Sequence, residues 1–305
     1  MSKPKTQSDS AFGSSYKGST FKEVKDQVFS DPYKVLPQLR VTFRSFFRGF
    51  TNVLLKAAEQ ALDDPSDIRP YHTKLVHPNG MALFGTWNIT EKSPYTGYFS
   101  QGSKALIVVR CSTALSQTSR GHYRGFGFVG KLFPTTNPLE RVKTADFFAI
   151  DVFAGTKAAH FTDVELTNDV PTGFNISAVF NFFSGLASVL TFRRADGNNN
   201  FRELYPIAEL GLPEGVKPVV PRWIMIRASP SSGKIDKADF RDELMVGNYP
   251  NKTLRFEIWV ADKLLPSGKR DVKEIGYIDL TESVASDSAD HRLAFRHPRL
   301  REKKK

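Results

Sequence analysis

The chain has 305 residues, 40% apolar and 25% charged, enough for a full core in one large domain or two modest ones. Its formal charge of +11 is concentrated at one end: His291 to Lys305 holds seven basic residues against Glu302 alone, which is +6 of the total. The last stretch, 299–305, carries no aromatic side chain for base stacking, so it reads as a solvated basic tail and argues against a nucleic-acid partner. Cys111 is the only cysteine, which excludes an intramolecular disulfide and a Cys-rich zinc site and fits a reducing, cytoplasmic setting.

Residues 1–20 are polar and lack the apolar run of a secretory signal, so they read as a disordered lead. From Val35 to Leu62, apolar residues at Val35, Leu39, Phe43, Phe46, Phe50, Val53, Leu54 and Ala58 predict a helix over 35–62, with Arg40, Arg44, Arg48 and Lys56 opposite. Packing on the protein's own sheet is preferred to lying on a membrane surface. Strands dominate afterwards. Met81, Leu83, Trp87 and Ile89 alternate with polar or small residues, and Ala105 to Val109 is apolar throughout, as a strand buried on both faces would be. Leu254, Phe256, Ile258 and Val260 alternate with Thr253, Arg255, Glu257 and Trp259, and Ile275 to Leu280 predicts a last strand.

Phe174 to Phe192 is uncharged over nineteen residues, but Asn175, Ser177, Asn181, Ser184, Ser188 and Thr191 interrupt it, which favours a buried helix over a membrane span. Pro213 to Pro221 is a connector within one domain spanning 21–298. The 25 phenylalanines suit a thick core or a pocket for a flat apolar ligand.

Gly125 to Gly130 matches GxGxxG, with Asp146 at a suitable distance for a ribose acid. Pro134 and Pro138 interrupt what should be a helix, so a glycine-containing strand is the better reading. His72 with His77, and His291 with His297, lack the spacing and third ligand of a specific metal motif. Cys111 reads as a small buried strand residue. His77, beside Pro78-Asn79-Gly80 at the head of an apolar strand, stands in company with Arg110 and Ser112 on another. A histidine hydrogen-bonded to a serine can shuttle a proton within one bound substrate, and a histidine capping a turn is the alternative.

Lys74-Leu75-Val76-His77-Pro78-Asn79-Gly80, Tyr95-Thr96-Gly97-Tyr98-Phe99, Val109-Arg110-Cys111-Ser112-Thr113, Arg124-Gly125-Phe126 and Lys131-Leu132-Phe133-Pro134-Thr135 occur in this order. Together they resemble the haem catalase superfamily, specifically its short bacterial catalase-related proteins, from near Arg69 to about His297. The resemblance implies an α+β fold, a catalase-like closed antiparallel β-barrel flanked by helices. It implies that His77 is the distal acid/base, that Ser112 orients it, and that Arg110, Lys74 and Phe126 contact haem. Lys74 replaces a family arginine and loses its bidentate fork.

Asp146 falls where the family's distal asparagine is expected, and an ionised carboxylate cannot donate the hydrogen bond an asparagine would. The family's proximal tyrosinate has no match in the residues after Pro298, and Tyr277 lacks an arginine four residues before it. Three readings stay open. One is a haem-dependent enzyme metabolising hydrogen peroxide or an organic or lipid hydroperoxide, with weak or altered catalase activity. The second is a catalase-fold protein that has lost haem and acts as a binding or structural module. The third is a non-haem metal protein using some of His72, His77, Asp290, His291 and His297. A homo-oligomer is compatible with each.

Overall fold

A computed structural model of the chain describes residues 18–30, 68, 79–114, 125–136, 138–142, 144–150, 160–168, 219–235, 237, 239–286 and 288–295. Their centre is a closed antiparallel barrel of eight strands in sequence order: β1 (Asn79–Ile89), β2 (Lys104–Ala114), β3 (Gly125–Pro134), β4 (Ala145–Ile150), β5 (Glu165–Thr167), β6 (Trp223–Ala228), β7 (Leu254–Ala261) and β8 (Lys273–Val284). β8 returns to pair with β1, which leaves the sheet without a free edge. The weakest seam is β5, joined to β4 through the single pair Ile150↔Thr167.

The strand period of two sorts side chains to the two faces of the wall. In the β1–β2 register, Met81↔Cys111 and Leu83↔Val109 face inward, whereas Ala82↔Arg110 and Phe84↔Val108 face outward. The inward set continues through Trp87, Phe126, Phe128, Phe147, Leu166, Ile226, Phe256 and Ile278 as one apolar cluster. Phe147 lies 6.1 Å from the Phe128 ring and 5.7 Å from Trp87, and it occupies the space that Gly130 leaves open: a Cβ there would come within 2.2 Å of its ring. The predicted phenylalanine-rich core is therefore the barrel interior.

A second apolar cluster lies outside the wall. Helix α1 (Phe21–Phe29) starts at Thr20 with a capping box: Glu23 N donates to Thr20 Oγ1 and Thr20 N donates to Glu23 Oε2, both at 2.9 Å. Val24 and Val28, one turn apart, pack on Ala82, Phe84, Val108, Phe133, Val284, Ala289 and Leu293. Full burial of a valine contributes about 1.5–3 kcal/mol, so these two fasten the helix to the barrel. Ser288–Arg292 forms a π-helical turn beside α1, with Gln27 donating to Ser288 at 3.1 Å.

The helix predicted over 35–62, the uncharged stretch 174–192 and most of the lead lie outside the described residues. Within the lead, Ser19 and Thr20 are buried at the start of α1. The GxGxxG segment is the first part of β3, paired on both sides, as the strand reading expected. A second short helix, α2 (Phe240–Glu243), precedes β7. No helix among the described residues is long and apolar enough to cross a bilayer.

Candidate functional site

Arg110, Ser112 and Asp146 all project from the outer face of the β2–β3–β4 wall, where residues 289–290 cover Arg110 and Phe295 lies over Lys131, the partner of Asp146. Their placement follows from register: Arg110 stands opposite Ala82 and Val129, Ser112 opposite Gly80 and Gly127, and Asp146 opposite Lys131. Inward neighbours Val109, Cys111, Ala145 and Phe147 fix the parity. Arg110 and Ser112 are thus neighbours on one face of β2, and Asp146 lies on the same face two strands away. His77 and Lys74 lie outside the described residues, as do His72 and His297.

Arg110 is buried. Its Nε donates to the Ala289 carbonyl at 3.0 Å and its Nη2 to the Asp290 carbonyl at 3.5 Å, with the Asp290 carboxylate 3.9 Å away. Burial pulls the guanidinium below its ordinary value, and the Asp290 charge opposes that pull. Asp290 in turn accepts from the Gly80 amide at 2.6 Å. The π-helical turn is therefore stitched to the head of β1 and to the middle of β2 through one carboxylate and one guanidinium.

Asp146 has a different partner. Lys131 Nζ donates to both of its oxygens, at 2.8 and 3.0 Å, and to Thr144 Oγ1 at 3.0 Å, with both side chains of the pair fully buried. The Phe295 ring lies 5.1 Å from the ammonium, as a cation–π cover. Paired with a lysine, Asp146 is held as an acceptor, the opposite of the donor an asparagine supplies.

Phe126 stands apart from this face. It points into the barrel and meets Phe161 edge-on at 4.9 Å, on the opposite side of the wall from Arg110 and Ser112. Tyr277 is on the outer surface of β8, stacked by Arg255 at 3.9 Å, and Arg255 is fixed by Asp279 at 2.6 Å. Cys111 is buried inward, and burial pushes its thiol well above the ordinary value.

One polar cluster carries no local sequence signal. Glu243, fully buried, accepts from the amides of Phe161 and Thr162 at 3.2 and 2.9 Å and from the Thr162 hydroxyl at 2.9 Å, with His160 Nδ1 3.5 Å away. It ties α2 to the short 3-10 turn Phe161–Asp163, segments some eighty residues apart. Among the described residues no group of three or more His, Cys, Asp or Glu side chains could hold a metal ion.

The chain resembles solved catalases. A bacterial catalase is 12% identical at a TM-score of 0.36, covering 82% of this chain and 54% of its own length. Catalase A from Saccharomyces cerevisiae gives 12% identity and 0.36 over 82% of this chain and 58% of its own, and a fungal catalase gives 13% and 0.36 over 82% and 56%. The chain spans little more than half the length of these catalases. The sequence matches no protein-family model and no curated protein.

Haem is the group the sequence motifs imply, and two of the described residues assigned to it are engaged by the chain itself. Arg110 directs Nε and Nη2 to the Ala289 and Asp290 carbonyls, and both Asp146 oxygens accept from Lys131, so Asp146 so paired is an acceptor where a distal donor is expected.

Proposed function

We propose that this chain is a catalase-related barrel that works without haem, as a binding or structural module. The observation that carries the reading is the engagement of Arg110 by the 288–290 turn: the cation that should meet a propionate is turned to a carbonyl and a carboxylate of its own chain. Asp146 supports it, since its negative charge is neutralised by Lys131 within the same face. A buried, hydrogen-bonded ion pair between neighbouring strands favours one arrangement of the elements that carry it, which is a structural role.

The haem-dependent reading, with His77 as acid/base, Ser112 orienting it and Arg110 on the cofactor, is favoured by one feature. Arg110, Ser112 and Asp146 share one outward face, as a distal pocket would need. A titration of the purified protein with haemin, read at the Soret band, separates the two. The haem-free reading predicts only the weak, non-saturating absorbance of loosely adsorbed haemin. A saturable band at one haemin per chain, accompanied by peroxide turnover that His77→Ala abolishes, would replace it with the enzyme reading.

A further inference from the structure

Seven large hydrophobic side chains are well exposed among the described residues, and four of them, Val219, Leu264, Leu265 and Val272, lie at one end of the barrel. Leu264 and Leu265 are 55% and 44% exposed at the tip of the β7–β8 hairpin. That tip is built and not merely loose. Leu265 N donates to the Lys269 carbonyl at 2.7 Å, Gly268 N to the Leu265 carbonyl at 2.8 Å, and Asp271 N to the Lys263 carbonyl at 2.9 Å. Gly268 takes the left-handed conformation, φ 77°, that closes this turn after Pro266-Ser267. The two leucines are thus held outward by a hydrogen-bonded frame.

Charge surrounds them. Lys263, Lys269, Arg270 and Lys273 stand in or beside the hairpin against Asp262 and Asp271. Asp262 is turned back to the body, where it accepts from the Tyr95 hydroxyl at 2.6 Å and from the Arg222 amide at 2.8 Å. This contact also fastens the 219–222 segment, with exposed Val219, beside the hairpin. Glu91, Glu257 and Glu274 lie behind the tip, toward the strands. Arg270 is drawn to Glu165 and the Trp223 ring, and Lys273 to the Lys92 carbonyl, so the outermost layer presents the two leucines flanked by Lys263 and Lys269, with Asp271 alongside.

We propose that this hairpin tip docks on an anionic lipid surface, Leu264 and Leu265 entering the headgroup boundary while Lys263 and Lys269 meet lipid phosphates and carboxylates. Shallow apolar insertion combined with nearby basic charge is the arrangement by which peripheral proteins bind such surfaces. Lys263 and Lys269 beside the leucines fit an anionic surface, whereas a neutral protein groove would take the leucines and leave these two charges unmatched. The contact is reversible and spans nothing.

The test uses the full chain labelled with an environment-sensitive nitrobenzoxadiazole dye through S267C, Cys111 being buried. Vesicles of phosphatidylcholine alone are compared with vesicles containing 30% phosphatidylserine, in about 50 mM and about 500 mM salt. The expected result is a blue-shifted, brighter dye and co-sedimentation with the anionic vesicles in low salt only. Leu264→Ser with Leu265→Ser should reduce binding at least tenfold, as should Lys263→Glu with Lys269→Glu, with unfolding midpoints unchanged. Co-sedimentation without a dye shift, as the basic C-terminal tail alone would produce, overturns the proposal. So does the absence of any binding to anionic vesicles, or equal binding by the double leucine variant.

Discussion

Lys131 and Asp146 face each other across β3 and β4 with Nζ 2.8 Å from Oδ2, and neither side chain reaches solvent. Taking both charges out of water is costly, and the pair holds because the Thr144 hydroxyl and the Phe295 ring complete the shell around the ammonium. Lys131→Met removes the ammonium from a buried carboxylate, with an expected cost of about 3–5 kcal/mol in urea unfolding. Lys131→Met combined with Asp146→Leu should recover most of that loss. Equal stability of Lys131→Met and the parent chain would contradict the pairing.

Gly80 leaves the room that Arg110 uses. A Cβ at this position would come within 2.6 Å of Arg110 Cζ, and the guanidinium cannot swing away without leaving Ala289 and Asp290. Gly80→Ala is expected to destabilise by about 1–3 kcal/mol. Gly247→Ala, where an added Cβ meets nothing within 4 Å, is the control and should stay within about 0.5 kcal/mol. Chemical denaturation of the two variants side by side checks both.

Glu274 is held above its ordinary value, first by partial burial and then by the charges of Glu257 and Glu91. A carboxyl whose folded pKa is raised supports the fold while protonated, and that support is lost as pH rises through the folded value. Glu274→Gln should therefore raise the melting temperature at pH 7 and leave it unchanged at pH 3. Because the group is largely exposed, the gain is small. A melting series from pH 3 to 7 on both proteins tests the sign, and a loss at pH 7 would reverse it.

Cys111 sits inside the barrel with its thiol pushed up by burial, so thiolate, the reactive form, is scarce in the native state. Reaction with an aromatic disulfide reagent should be negligible in buffer, and in rising urea its rate should follow global unfolding. Prompt stoichiometric labelling in buffer would place the thiol elsewhere.

Strands whose two faces differ in environment are legible in the sequence. β7 alternates buried and half-buried residues along its length, and its sequence alternates with it. β6 shows no period of two, because Trp223 to Ile226 are all buried, and its apolar run of four is shorter than the Ala105–Val109 run that marked β2. β5 has three residues, too few for a pattern. The shared face of Arg110 and Ser112 followed from their spacing of two. Their neighbours did not: Asp290 lies 180 residues from Arg110 and reaches it through an irregular turn, and Lys131 meets Asp146 only once the β3–β4 register is set. The same parity separates Phe126 from the site residues, since Phe126 belongs to the inward row with Phe128. Helix α1 is a short element whose capping box, Thr20 with Glu23, was present in the sequence and marks its start.

Arg110 is committed to its own chain by the 289–290 turn, and a double-mutant cycle with Asp290 measures the side-chain part of that commitment. Arg110→Met, Asp290→Asn and the combined variant are compared by urea unfolding. Arg110→Met should lose about 3–5 kcal/mol, with a favourable coupling of about 1–3 kcal/mol between the two positions. Coupling indistinguishable from zero, with Arg110→Met costing less than about 0.5 kcal/mol, would contradict it and return Arg110 to the pool of groups available to a bound ligand.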